Sequence, residues 1–162
     1  MIVSGQVPVS GQVHVPGQLH QATAVAIGGR AVMIEGPPGS GKSSLALALI
    51  DRGASLVGDD GLILLQQPVA HGTAQLMAKP HPNTAGLLEV RNLGLLRFPH
   101  VAQAPVALVL VLDRDAQRFV EAAQTVQRAG VAVPMLRLWP DTPMLALRAG
   151  LALERFGTTI DT

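Results

Sequence analysis

The feature that most constrains this fold is an eight-residue segment, Gly36-Pro37-Pro38-Gly39-Ser40-Gly41-Lys42-Ser43. It fits the pattern G-x-x-x-x-G-K-[ST], in which glycines let the backbone wrap closely around phosphate oxygens and point its N–H groups at them. A short apolar stretch typical of a strand precedes the segment, and a helical pattern follows it. This order of strand, loop and helix predicts an α/β domain that binds a nucleoside triphosphate.

Residue types inside the loop suit individual parts of such a ligand. Lys42 would place a cation on the β- and γ-phosphates, and the Ser43 hydroxyl would bind the Mg²⁺ that bridges them. Ser44 continues into the helix, whose positive dipole end favours an anion. The predicted nucleotide-binding residues therefore run from Gly36 to Ser44. The alternative is a glycine-rich turn that matches the pattern by chance.

The composition of the chain excludes several classes of protein that could carry such a loop. The chain has 162 residues, of which 48% are apolar and 14% charged, as expected for one folded domain. A net charge of +1 and only four aromatic residues, three Phe and one Trp, argue against nucleic-acid binding. Without cysteine, thiolate catalysis and cysteine-based zinc sites are excluded. We find no signal peptide or membrane-spanning run, so we expect a soluble cytoplasmic protein.

Apolar periodicity and turn residues predict a single domain, residues 1–162, with a mixed sheet. Gly28-Gly29 joins the first two strands into a hairpin that leads into the glycine-rich loop. A Gly-Gln-Val/Leu repeat at residues 3–19 predicts an irregular or edge-strand arm, and residues 66–86 predict loops. The predicted strands are 22–27, 31–35, 55–58, 62–65, 94–98, 106–112 and 131–133. The predicted helices are 43–52, 114–128 and 144–155.

Three further features resemble one known family. Residues 52–60, RGASLVGDD, fit R-G-x-x-L-V-x-D-D, and residues 88–94, LEVRNLG, resemble L-E-[IV]-R-G-[LI]-G. His20 lies about one strand pair before the glycine-rich loop, where that family has a functional histidine. With the loop itself, these features cover residues 20–94. The chain resembles the C-terminal catalytic domain of HPr kinase/phosphorylase.

This resemblance implies a fold and a reaction. The fold would be a PEP carboxykinase-like, HPr kinase-type P-loop domain with a mixed sheet. The reaction would be ATP- and Mg²⁺-dependent phosphorylation of a serine on the phosphocarrier protein HPr of the phosphotransferase system. Phosphate-dependent removal of that group is a second reaction that stays open. The resemblance also implies a homo-oligomer, commonly a hexamer. The expectation of no nucleic-acid or membrane partner comes instead from the net charge of +1.

It also implies roles for five side chains. Asp60 would be the general base that takes the proton of the acceptor hydroxyl, and Asp59 would help order metal-bound water. Glu89 would hold Mg²⁺, and Arg91 would neutralise developing phosphoryl charge. His20 would contact the reacting phosphate or orient a carboxylate. The residues allow plainer alternatives: an Asp-Gly turn at the acidic pair, a solvated strand carrying Glu89 and Arg91, and a surface histidine.

The chain departs from the family pattern in four places. The 162 residues leave no room for the additional N-terminal domain of full-length members, which indicates a short single-domain variant. Asn92 replaces a glycine, and one more residue separates His20 from the loop. Arg137 is the only candidate for an arginine-rich stretch that the family ties to phosphorolysis. The reverse reaction is therefore less well supported than the kinase reaction.

Two other functions remain open on the sequence alone. A different P-loop enzyme, such as a small-molecule kinase or an ATPase, would use the apolar strand 106–112 as a Walker B strand and Asp113 as its Mg²⁺ ligand. Alternatively, the domain binds ATP without chemistry and regulates a partner. The resemblance favours Asp59 and Asp60 over Asp113 as the functional pair, and the presence of Asp60 and Glu89 favours chemistry over binding alone.

Overall fold

The structure is a computed structural model that describes residues 17–160. Eleven strands, two α-helices and one 3₁₀ turn make up the described part of the chain. In chain order they are β1 (Gln18–His20), β2 (Thr23–Ile27), β3 (Arg30–Glu35), α1 (Lys42–Asp51), β4 (Ser55–Gly58), β5 (Leu62–Gln67), β6 (Gln75–Pro80), the 3₁₀ turn (Pro82–Thr84), β7 (Leu87–Val90), β8 (Gly94–Arg97), β9 (Ala104–Leu112), β10 (Gln124–Arg128), β11 (Val131–Leu138) and α2 (Leu145–Phe156).

Nine strands form one mixed, curled sheet, and β7 and β8 form a separate hairpin. The main path runs β1-β5-β6-β9-β3-β2-β4, and the β10–β11 hairpin joins it where β11 pairs with β9. Strand β9 pairs in parallel with β3 on one edge and with β11 on the other, whereas the remaining pairs of this sheet are antiparallel. The prediction of an α/β domain with a mixed sheet is confirmed.

Strand β9 is the centre of this sheet. One edge pairs with β3, while the other pairs first with β6 at Ala104 and Pro105 and then with β11 from Val109 to Leu112. The strand is apolar throughout and almost entirely buried. An uninterrupted apolar run is typical of a strand covered on both faces.

Side chains that alternate along the central strands build two apolar clusters on opposite faces. The first cluster contains Ile34 and Leu110 and packs against both helices, and the second contains Met33 and Val109 and is covered by β5 and β6. Helix α1 has no side-chain cap at its N-terminus, and its buried residues are Leu45, Ala46 and Leu49. Packing against the first cluster therefore holds this helix, and the glycine-rich loop, on that face of the sheet.

Three predicted segments are wrong in extent or type. The predicted helix 114–128 is instead a series of turns followed by β10, which pairs with β11 across Ala129 (φ 47°) and Gly130 (φ 79°). The predicted loop region 66–86 contains the six-residue strand β6. The predicted strand 131–133 continues through Pro134 to Leu138. It tolerates the proline because pairing with β9 begins only at Met135.

Other predictions are confirmed in position. The β2–β3 hairpin turns at Gly28 (φ 58°) and Gly29 (φ 84°), a left-handed conformation that favours glycine. Of the predicted arm at residues 1–19, residues 1–16 lie outside the described residues, and Gln18 and Leu19 belong to β1 at the end of the sheet path. Between residues 17 and 160, neither α-helix has the length and apolar character needed to cross a membrane.

Candidate functional site

The glycine-rich loop, residues 36–43, leaves the carboxyl end of β3 and enters α1 at Lys42. Its first residue has no space for a side chain. A Cβ atom at Gly36 would lie 2.6 Å from Ser40 Oγ and 3.2 Å from the backbone oxygen of Leu112. Gly39 (φ 80°) and Gly41 (φ 101°) take left-handed conformations. The positions of these glycines are therefore set by backbone geometry and close packing.

Lys42 lies across the loop rather than pointing away from it. Its Nζ donates hydrogen bonds to the backbone oxygens of Gly36 at 2.8 Å and Pro37 at 3.2 Å. The Ser40 hydroxyl oxygen is buried and has no hydrogen-bond partner among the described residues. The loop thus encloses one cation and one unpaired polar oxygen.

Asp59 joins the loop to two other segments. Its buried carboxylate accepts hydrogen bonds from the Ser43 hydroxyl at 2.7 Å, the Thr23 hydroxyl at 2.9 Å and the backbone N–H of Glu89 at 3.1 Å. These donors come from α1, β2 and β7. A single carboxylate at the end of β4 therefore sets the spacing of all three. Sequence reasoning missed Thr23, although a threonine in an otherwise apolar strand was its signal.

Asp60 follows with its side chain exposed and its backbone in the left-handed region (φ 54°). Its N–H lies 3.4 Å from the Thr23 hydroxyl oxygen, and the N–H of Gly61 donates to the backbone oxygen of Ala22 at 3.1 Å. The segment is thus both a turn and the edge of a cleft. The turn directs the Asp59 carboxylate inward to the hydrogen-bond network and the Asp60 carboxylate outward.

The cleft beside these residues has a volume of about 560 Å³. Most of the predicted site residues lie around it, including both aspartates, Glu89, Arg91 and most of the loop, whereas the predicted binding residues Gly36, Pro37 and Ser40 do not line it. Its full lining is Thr23, Pro38, Gly39, Gly41, Lys42, Ser43, Ser44, Asp59, Asp60, Glu89, Val90, Arg91, Asn92 and Gly94. Two separate parts of the sequence, residues 36–60 and 88–94, therefore meet at one place.

The β7–β8 hairpin forms one wall of the cleft. Glu89 lies on β7, whereas Arg91 lies in the turn after it, and both are exposed. Arg91 is therefore not on a continuous strand. Asn92 has a φ of 73°, and the N–H of Leu93 donates to the backbone oxygen of Val90 at 2.9 Å. Asparagine tolerates this left-handed conformation, so the replacement of a family glycine leaves a glycine-type backbone in place.

His20 is not part of the cleft lining. Its Nε2 lies 2.7 Å from Oε2 of Glu35, the residue before the glycine-rich loop. Arg128 donates to both oxygens of the same carboxylate, from Nε to Oε2 at 2.8 Å and from Nη2 to Oε1 at 2.6 Å. Burial raises the pKa of Glu35, but hydrogen bonds and charge from Arg128 and His20 outweigh it and lower the pKa to about 2. The hydrogen bonds to Glu35 raise the pKa of Arg128, burial lowers it, and the charge of Glu35 raises it further.

This cluster was only partly visible in the sequence. His20 contacts a carboxylate, that of Glu35, whereas its predicted role toward a phosphate or a carboxylate stays a prediction. Glu35 and Arg128 were missed. The one available signal was a glutamate ending an apolar strand immediately before the loop.

Asp113, the alternative metal ligand, lies elsewhere. It follows β9, accepts a hydrogen bond from the backbone N–H of Asp115 at 2.8 Å, and contacts Nη1 of Arg137 at 3.2 Å. Asp113 and Arg137 line a separate cavity of about 660 Å³ that does not include the glycine-rich loop. The carboxylate that contacts the Ser43 hydroxyl is Asp59, so the geometry disfavours a Walker B role for Asp113.

Comparisons with known proteins give a consistent picture. Residues 15–103 match the family described as HPr Serine kinase C-terminal domain. The HPr kinase/phosphorylase of Neisseria meningitidis is 43% identical over 70 residues, which are 43% of this chain and 21% of that protein. The one from Chlorobium phaeobacteroides is 31% identical over 126 residues, covering 70% of this chain and 36% of the relative. This chain therefore spans about a third or less of the length of these relatives.

A solved structure, described as the Hpr(Ser) kinase/phosphatase from Coxiella burnetii, superposes with a TM-score of 0.71. It is 26% identical and covers 85% of this chain and 89% of that chain. The likeness extends beyond residue 103, where the sequence match to the family ends. The fold of the sheet is therefore shared more widely than the recognisable motifs.

Proposed function

Because the chain belongs to the HPr serine kinase C-terminal domain family, we propose that it is an ATP-dependent kinase that phosphorylates a serine of an HPr-like phosphocarrier protein. One observation carries the proposal beyond family membership. Asp59 bonds the Ser43 hydroxyl on one side and the backbone N–H of Glu89 on the other. The residues predicted to bind phosphate, to bind the metal and to act as the base thus lie around one cleft.

The glycine-rich loop fits a nucleoside triphosphate with Mg²⁺. The first N–H groups of α1 have no side-chain cap, so they are available to phosphate oxygens, and Lys42 supplies a cation beside them. Ser43, Asp59 and Glu89 offer the oxygen atoms that Mg²⁺ prefers. No cluster of three or more His, Cys, Asp or Glu side chains within residues 17–160 could hold a metal alone. Mg²⁺ commonly completes its shell with phosphates and water, so it would arrive with the nucleotide.

Transfer would then follow from the groups around the cleft. Asp60 accepts the proton of the acceptor serine, whose Oγ forms a bond to the γ-phosphorus as the bond to the bridging β–γ oxygen breaks and ADP leaves. Lys42 and Arg91 stabilise negative charge on the phosphoryl oxygens. Asp59 keeps Ser43 and the β7–β8 hairpin in register, a role in addition to the predicted ordering of metal-bound water.

Two further properties belong to the same proposal. The enzyme acts as a homo-oligomer, a hexamer in keeping with the resemblance. Phosphate-dependent removal of the seryl phosphate is a separate reaction, and its support is weaker because Arg137 is paired with Asp113 away from the cleft.

The decisive experiment incubates the protein with γ-labelled ATP, Mg²⁺ and an HPr protein and measures label on serine. We expect Asp60→Asn to abolish transfer while the dissociation constant for ATP changes by less than about threefold, because the exposed carboxylate is not in the glycine-rich loop. Asp51→Asn, an exposed carboxylate at the end of α1, is the matched control and should transfer normally.

Each other outcome has a defined meaning. Transfer at nearly the wild-type rate by Asp60→Asn would contradict the assignment of the base. If wild-type protein bound ATP tightly but labelled no HPr, the kinase proposal would fail and a regulatory nucleotide-binding module would be favoured. Addition of inorganic phosphate to labelled HPr tests the reverse reaction separately.

A further inference from the structure

The contact between His20, Glu35 and Arg128 has no part in the mechanism above. Three elements, β1, β3 and β10, each contribute one of these side chains. The side chain of Glu35 is only 14% exposed, and those of Arg128 and His20 are 23% and 28% exposed. Glu35 is on the same face of β3 as Met33, two residues earlier, so the cluster lies at the end of the second apolar cluster.

The hydrogen-bonding capacity of Glu35 restricts which ring nitrogen of His20 can carry a hydrogen. An ionised carboxylate can only accept hydrogen bonds, and both oxygens of Glu35 already accept from Arg128. The 2.7 Å contact between Glu35 Oε2 and His20 Nε2 is therefore a hydrogen bond only if Nε2 carries a hydrogen. In the neutral ring this leaves Nδ1 with the lone pair, and in the charged ring Nδ1 becomes a second donor.

We propose that Glu35 and Arg128 are positioning residues that hold the His20 hydrogen on Nε2, so that His20 acts in phosphoryl transfer through Nδ1. This inference rests on the proposed kinase function. Through Nδ1, the ring accepts a proton when it is neutral and donates to a phosphate oxygen when it is charged. Glu35 determines which ring atom is available but does not itself contact the substrate.

Arg128 is essential to this arrangement. A buried carboxylate tends to take up a proton, and a protonated Glu35 could donate to Nε2 and move the ring hydrogen to Nδ1. The two hydrogen bonds from the Arg128 guanidinium keep Glu35 ionised, because planar bidentate pairing suits a carboxylate. Histidine tautomers are set in this way by the partner of the other ring nitrogen.

The three side chains of the cluster do not line the cleft, but their neighbours along the chain contribute to its hydrogen bonds. Glu35 immediately precedes Gly36, whose backbone oxygen accepts the Lys42 hydrogen bond. His20 lies three residues before Thr23, which donates to Asp59. The charged groups that face His20 across the cluster are Glu35 from β3 and, behind it, Arg128 from β10, whereas β5 places the apolar Leu62 opposite it. The alternative is an ion pair that only closes the end of the second cluster.

The test combines ring NMR with kinetics on the full chain. Nitrogen-15 spectra of the histidine rings, assigned with His20→Gln, report the tautomer at a pH about two units above the ordinary histidine value of about 6.5. We expect the Nε2–H form in the wild type. Glu35→Gln should increase the Nδ1–H form, because an amide has only one acceptor oxygen for two donors.

The same variants separate positioning from structure. We expect kcat for transfer to HPr to fall by about tenfold or more in Glu35→Gln and Arg128→Met, with KM for ATP changing by less than about threefold, because a misplaced ring hydrogen affects the chemical step. Arg128→Lys, which keeps the charge, should recover part of this loss. Arg114→Met removes an exposed arginine from its pair with Asp141 and should change neither kcat nor the tautomer.

The outcomes distinguish this inference from the kinase proposal. If wild-type protein transfers phosphate and Glu35→Gln retains both tautomer and kcat, the cluster is only a structural ion pair. An Nδ1–H ring in the wild type would also overturn the inference. If wild-type protein transfers nothing, the kinase proposal fails. The inference then stands only if MgATP shifts the His20 ring signals in the wild type and this shift is lost in Glu35→Gln.

Discussion

The Glu35 carboxylate makes the free energy of unfolding depend on pH. Burial raises its pKa, but hydrogen bonds and charge from Arg128 and His20 outweigh burial and lower the pKa from 4.5 to about 2 in the folded protein. Each unit corresponds to about 1.36 kcal/mol, so the ionised form stabilises the folded protein by about 3 kcal/mol. Because the pKa in the folded state is the lower one, this stabilisation is complete above the unfolded value and is lost as the pH falls toward the folded value.

The measurement is urea unfolding of wild type and Glu35→Gln at several pH values between about 7 and about 2. The other titrating residues are the same in both proteins, so the difference between the two free energies of unfolding reports on Glu35 together with its pairing to His20 and Arg128. We expect wild type to be the more stable protein at neutral pH. The difference should decrease by about 3 kcal/mol between pH 4.5 and pH 2.

Asp141→Asn provides the matched control. This carboxylate also pairs with an arginine, at 2.7 Å, but its side chain is 45% exposed. Solvent screens an exposed pair strongly, so this variant should follow the wild-type dependence on pH closely. A difference between wild type and Glu35→Gln that stays constant over the acid range would refute the coupling of Arg128 and His20 to Glu35.

Two further predictions concern backbone geometry. Gly36→Ala should weaken MgATP binding by at least about tenfold in calorimetry, because the new methyl group would lie 2.6 Å from Ser40 Oγ; unchanged affinity would contradict the tight packing of the loop. Asn92→Val should lower the free energy of unfolding by about 1–2 kcal/mol, whereas Asn92→Gly should be neutral or slightly stabilising, since the position has a φ of 73°. Equal stabilities for these two variants in thermal unfolding would show that the turn relaxes.

The segment from the β2–β3 hairpin to helix α1 could be predicted because its signals are local. Gly28-Gly29 specifies a hairpin turn, and the glycine-rich loop specifies the junction of strand and helix that follows it. The meeting of residues 36–60 with residues 88–94 could be inferred only from resemblance, since pairing at a distance leaves no local periodicity. The structure supplies the missing link, which is the Asp59 carboxylate bound to the backbone of Glu89.

The segment after β9 was harder to predict because its signals conflict. Residues 114–128 contain enough helix-forming residues to predict a helix, yet Gln124–Arg128 is a strand with the alternating half-buried residues Val126 and Arg128. Its hairpin turn uses Ala129 and Gly130, and an alanine at positive φ is not a residue that turn rules anticipate. The missed strand β10 carries Arg128, so the error in secondary structure also concealed the Glu35 cluster.

The central position of β9 also bears on how the chain folds during synthesis. Both apolar clusters contain residues of β9, and its pairing with β3 joins residues about 75 positions apart. Contacts between such distant segments form slowly, because a long loop must be closed before they contribute. Both clusters also include residues of β11, so neither is complete until that strand has left the ribosome, although the glycine-rich loop emerges much earlier. The nascent chain therefore carries its nucleotide-binding sequence for many residues before the sheet that supports it exists, and amide exchange should be slowest along β9.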